Sequence, residues 1–102
     1  MIFTAVPSLE AQPTPDGHSI QRSIVDITGP LSYTTGGEVL DPADLGFTTI
    51  FAVEGSIYLG GVCHTVIYDN LTGTLVFTTN GTEVAGAVNL TTVIVRTLIW
   101  GR

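Results

Sequence analysis

Two histidines, one cysteine and nine carboxylates are the groups in this chain that could carry acid–base, nucleophilic or metal chemistry. His18 follows Asp16-Gly17, a turn signal, and reads as a solvated loop side chain. His64 lies inside Val62–Asp69, a run with strand character. On a strand, successive side chains leave by opposite faces, so Cys63 and His64 cannot form a thiolate–imidazolium pair. A single cysteine permits neither an internal disulfide nor a thiolate zinc centre, and Cys63 reads as a small buried hydrophobe. Asp41 and Asp44 could share one turn, but capping accounts for Asp41, and a calcium loop needs more oxygens at fixed positions. Glu38, Glu54 and Glu83 fall beside expected turns and read as solubilising charge. Glycosidic chemistry needs two carboxylates held in a cleft, for which short loops leave little wall. No nucleophile-elbow pattern is present. The expectation is a chain that is not an enzyme, with no catalytic, metal or cofactor site. The Asn-x-Thr triplets at Asn70, Asn80 and Asn89 read as turn asparagines in a threonine-rich chain rather than as glycan acceptors.

With local chemistry set aside, surface and bulk composition become the informative features. Hydrophobic residues make up 44% of the 102 residues and charged residues 12%, about half the usual charged share. So few charges leave apolar surface that a neighbour would cover. The charge is one-sided, with nine acids against Arg22, Arg96 and Arg102, no lysine, and a net charge of −6. That balance repels phosphate backbones and anionic headgroups, so neither nucleic acid nor membrane surface is an expected partner. No run approaches the roughly 18 apolar residues of a membrane-spanning helix. The opening Met1-Ile-Phe-Thr-Ala-Val-Pro7 lacks the basic and apolar regions of a secretory leader.

The elements are β throughout. Valine, isoleucine and threonine supply about a third of the chain, and glycine-containing steps break it into short runs. Residues 1–17, interrupted by Pro7, Pro13 and Pro15, read as an extended arm, and residues 18–102 as a single β-domain. Within that domain strands are expected at 19–28 (with a bulge near Ser23-Ile24-Val25), 31–34, 47–53 resuming near Ile57, 62–69, 74–79, 82–85 and 91–100. Asp41-Pro42-Ala-Asp-Leu-Gly46 spells one turn of helix with its own cap and stop. Asn70-Leu-Thr-Gly73 and Asn80-Gly81 spell hairpin turns. The last run is apolar on both faces, as in a central strand or one covered by a partner. The fold class is all-β, an antiparallel sandwich or jelly-roll-like barrel of about seven to eight short strands with an extended N-terminal arm.

Several of these turn-and-strand patterns carry a resemblance. Gly29-Pro-Leu-Ser-Tyr-Thr-Thr-Gly-Gly37, Leu40-Asp-Pro-Ala-Asp-Leu-Gly46, Tyr68-Asp-Asn-Leu-Thr-Gly-Thr-Leu75, Gly81-Thr-Glu-Val84 and Val95-Arg-Thr-Leu-Ile-Trp-Gly-Arg102 are similar to small structural proteins of tailed bacteriophages. The likeness spans about residues 28–102 and leaves the arm outside it. It implies a β-rich virion protein made in the host cytoplasm, typically a trimeric capsid decoration (cement) protein that clamps the major capsid protein's capsomers. Under that reading Ile2, Phe3, Val6 and Trp100 are the expected interface residues, with Arg102 as an ion-pair partner. Core packing is the simpler role for Trp100. The alternative is a receptor- or carbohydrate-binding domain of a phage fibre or head-surface protein, which would cluster Tyr33, Tyr58, Tyr68 and Trp100 on one exposed face.

Overall fold

The computed structural model describes residues 1–6, 12–13 and 19–102. His18, Asp16-Gly17, Pro7 and Pro15 lie outside the described residues. Among the described residues nine strands form one antiparallel sheet: β1 (Ile2–Val6), β2 (Gln12–Pro13), β3 (Ser19–Thr28), β4 (Glu38–Val39), β5 (Ile50–Leu59), β6 (Val62–Asp69), β7 (Thr74–Thr79), β8 (Thr82–Glu83) and β9 (Ile94–Gly101). The order across the sheet is β1-β3-β9-β5-β6-β7-β4, with β2 also on β3 and β8 on β7. The fold is all-β, as expected, with the sheet curled into a half-barrel. The one helical element among the described residues is a 3-10 turn at Pro42–Leu45. Asp41 accepts the Ala43 N–H at 3.0 Å to start it, and Gly46 at φ 79° stops it.

Alternation along the strands sorts side chains onto two faces. Val25 and Ile27 of β3, Val53 of β5, Val66 of β6, Leu75 and Phe77 of β7, and Val95 and Ile99 of β9 point inward and are buried. Loops rather than a second sheet close the core over them. Tyr33, Leu40 and Phe47 come from the 29–49 connection, and Val84, Leu90 and Val93 from the 84–93 connection. The two connections bind each other through Gly29 N–H to Val93 C=O (2.9 Å), Leu90 N–H to Pro30 C=O (2.8 Å), and Ala87 N–H to Tyr33 C=O (2.8 Å). Such pairing lets an irregular layer be buried without stranding its backbone polar groups.

Tyr33 holds this cover to the sheet. Its ring meets Phe77 edge-on at 5.9 Å, and its hydroxyl donates to Glu83 Oε2 at 2.8 Å. The same hydroxyl accepts the Phe77 N–H at 3.3 Å, and Glu83 also accepts the Gly36 N–H at 2.9 Å. Glu83 is therefore a structural acceptor rather than free solubilising charge. Glu38 is another, taking the Thr34 N–H at 2.8 Å.

Several element boundaries differ from the sequence expectation. Leu31–Thr34 is not a strand, because the buried Tyr33 belongs to the cover layer. No bulge interrupts 23–25, whose pairing with both β1 and β9 is regular. β5 runs unbroken through residues 54–56, so Glu54 is a mid-strand residue. Two of the expected strands are shorter, at Thr82–Glu83 and Ile94–Gly101. The first residues of the arm form β1, paired in register with β3 from Ile2↔Thr28 to Val6↔Ile24.

Candidate functional site

The outward positions of the sheet form the candidate site. Because β1, β3, β9, β5, β6 and β7 are in register, one transverse row reads Val6, Ile24, Leu98, Glu54, Ile67, Val76. Five of its six members are apolar, Ile67 is 53% exposed, and no other layer of the described residues lies over the row. The neighbouring row places Thr4, Asp26 and Arg96 on one side and Ser56, Thr65 and Thr78 on the other. Thr65 and Thr78 share a hydroxyl–hydroxyl hydrogen bond across β6 and β7.

Strand divergence turns this face into a groove. β5 and β9 pair through Gly55↔Thr97 and no further, while β5 continues with β6 to Leu59. Gly55 permits the close approach at the fork. A β-carbon there would run into the Arg96 carbonyl and lie 2.8 Å from Thr97 Cγ2. Beyond the fork lies an open groove of about 590 Å³ lined by Ile24, Leu98, Ile67, Thr65, Glu54 and Arg96 among others.

Charges on the face are arranged in pairs. Arg96 Nε donates to Asp26 Oδ1 at 2.8 Å and its Nη2 to Oδ2 at 3.0 Å, a two-pronged contact between residues directly opposite each other. These hydrogen bonds hold the Asp26 carboxyl below its ordinary range and raise the Arg96 guanidinium. The Arg22 guanidinium stacks 5.2 Å from the ring centroid of its cross-strand neighbour Trp100. Glu54 is exposed and forms no ion pair among the described residues. Two of the three arginines thus lie on this face, while Arg102 is bonded to Thr48 and Thr49 at the end of the connection that carries Glu38, Asp41 and Asp44.

The expected interface residues divide between locations. Ile2, 63% exposed, Val6 and Trp100 fall on the outward face. Phe3 turns inward opposite Ile27 and packs against the core. Arg102 lies off the face, its guanidinium 6.0 Å from the Phe51 ring and its backbone bonded to Thr48 and Thr49. Ile24, Leu98, Ile67, Glu54 and Arg96 are not among the interface residues expected from sequence, where Glu54 reads as solubilising charge. Same-parity spacing of Ile94, Arg96, Leu98 and Trp100 is the signal that could have found part of the set.

Other candidate groups have structural partners. His64 Nδ1 is 3.3 Å from the Thr79 hydroxyl, on the face opposite half-buried Cys63. Asn80 accepts the Cys63 N–H at 3.0 Å from the turn, and Asn89 accepts from Thr91 N–H and hydroxyl at 2.9 and 2.7 Å. Among the described residues no group of three or more His, Cys, Asp or Glu side chains could hold a metal ion. None of the groove's lining residues is histidine or cysteine. The groove offers an apolar stripe, hydroxyls, one carboxylate without an ion pair among the described residues and one half-committed guanidinium. Comparison with protein-family models, curated proteins and solved structures found no match.

Proposed function

We propose that the chain is a structural assembly protein, a capsid decoration protein of a bacteriophage virion that stabilises contacts between capsomers of the major capsid protein. The single observation that carries the assembly part is the largely apolar row Ile24, Leu98, Glu54, Ile67, Val76 across five paired strands, over which no other layer of the described residues lies. Apolar surface of this kind contributes about 25 cal/mol for each Å² removed from water, offset by the cost of association. Repetition over a shell multiplies a modest contact many times. The virion setting rests on the motif resemblance over residues 28–102.

The carbohydrate-binding alternative gains nothing from the arrangement of aromatics. Tyr33 is buried, Tyr68 packs against the core, and Trp100 is stacked by Arg22, so they form no common platform with Tyr58. The decisive measurement is the heat and low-salt resistance of purified capsids with and without the protein. Higher resistance with it is the expected result, and equal resistance would remove the decoration reading.

A further inference from the structure

We infer that the outward face of the sheet binds a second copy of this chain, groove to groove, across a two-fold axis. The inference rests on the assembly reading above and names the partner of that same face.

Charge selects the occupant. A copy carrying a net charge of −6 repels its twin most strongly where acids outnumber arginines, as on the loop side, where Glu38, Asp41, Asp44 and Glu83 have Arg102 alone at the end of the 29–49 connection. The outward face is where Arg22 and Arg96 offset the acids. It is also self-complementary. Glu54 is a carboxylate without an ion-pair partner among the described residues, set within an apolar row. Arg96 lines the same groove, spends Nε and Nη2 on Asp26, and has no partner for Nη1 among the described residues. A two-fold axis bisecting the line between Glu54 and Arg96 brings each onto the other's position in the twin, so both contacts form together. An isologous interface requires that reciprocity. Ile24, Leu98 and Ile67 then meet their counterparts around the two ion pairs.

The area suffices. Five strands at about 4.8 Å spacing and seven residues at about 3.3 Å rise give a footprint on the order of 550 Å² in projection. Accessible surface exceeds projected area on a corrugated face, which brings it near the roughly 800 Å² per partner of a standard stable interface. The pairing is dimeric, and here it departs from the trimer implied by the phage resemblance.

Sedimentation equilibrium of the full chain over a range of concentrations tests it, with circular dichroism to confirm that each variant folds. The expected result is a species of twice 10.7 kDa. Ile67→Arg, at an exposed position, should weaken self-association at least ten-fold, and Leu71→Arg at the 97% exposed hairpin tip should leave it unchanged. Glu54→Gln should weaken it less than Ile67→Arg. A monomer throughout, a trimer, or a dimer indifferent to Ile67→Arg would overturn the inference. Capsid binding by Ile67→Arg separates the two proposals. A wild-type monomer that protects capsids overturns the pairing and supports the decoration reading. A dimer that gives capsids no protection does the reverse.

Discussion

Asp26 and Arg96 face each other across β3 and β9, and both carboxylate oxygens take a hydrogen bond from the same guanidinium, at 2.8 and 3.0 Å. The contact joins residues 70 positions apart in the chain. It fixes the register of these two neighbouring strands on the side over which no loop layer of the described residues lies, since a slip of one residue would send Arg96 to the opposite face.

The pH dependence of this pair has a definite sign. The folded Asp26 carboxyl titrates below its ordinary value of 3.8, so the pair's stabilisation is complete above about pH 4 and is lost as pH falls through the lower folded value. Asp26→Asn should lower the melting temperature at pH 7, and the difference from wild type should shrink as pH falls below 3.8. Thermal melts of both proteins across the acid range check this.

Tyr33 should show the mirror image at high pH. Burial and the Glu83 carboxylate push its hydroxyl up from 10 to about 12. The neutral phenol is the stable folded form, so its contribution persists to about pH 10 and fades as pH rises towards about 12. Tyr33→Phe should cost about 1–2 kcal/mol at neutral pH through the lost hydrogen bonds. It should also remove the late step from a phenolate absorbance titration.

The single tryptophan is a built-in probe of the outward face. Arg22→Ala removes the guanidinium stacked on Trp100. The expected effects are a red-shifted emission, stronger quenching by iodide and a small stability loss of about 0.5–1 kcal/mol. Unchanged quenching would mean that Arg22 does not shield the ring.

Gly55 marks the fork of the groove. Gly55→Ala drives a methyl into the Arg96 carbonyl and the Thr97 side chain. Overpacking of this kind costs about 1–3 kcal/mol. A chain of this length should lose roughly 5 °C or more in melting temperature. Amide exchange should quicken at residues 55–56 and 96–97 before the rest of the sheet.

What was legible in the sequence follows from how local each feature is. Asn80 at φ 50° and Gly81 at φ 85° form the turn that their side chains permit, and Asp41 and Gly46 bracket their helical turn for the same reason. The apolar run at residues 93–100 falls on β9, which has neighbours on both edges, one of the two alternatives its pattern allowed, although only one of its faces is buried. Tyr33 was misread because its environment comes from Phe77 and Glu83, more than 40 residues away. The candidate site was largely illegible for a related reason. Val6, Ile24, Leu98, Glu54, Ile67 and Val76 become one row only once six strands are ordered, and spacing along a chain does not encode strand order. The phage-like motifs coincide with turns and caps whose local roles are visible here, including Gly73 at φ 69° and Gly37 at φ 111°.

The position of β9 has a consequence for how the protein comes into being. β9, which follows all the other described strands in the chain, occupies the middle of the sheet, between β3 and β5, which do not pair with each other. During synthesis the first half of the chain therefore holds a hairpin with a missing neighbour, and the β5–β6–β7 meander holds another. Neither part can enclose Val95, Thr97 and Ile99 until β9 itself has left the ribosome. Pairings that span some 70 residues close late and slowly. The nascent chain thus carries two unsatisfied strand edges, β3 and β5, and a single segment satisfies both at once.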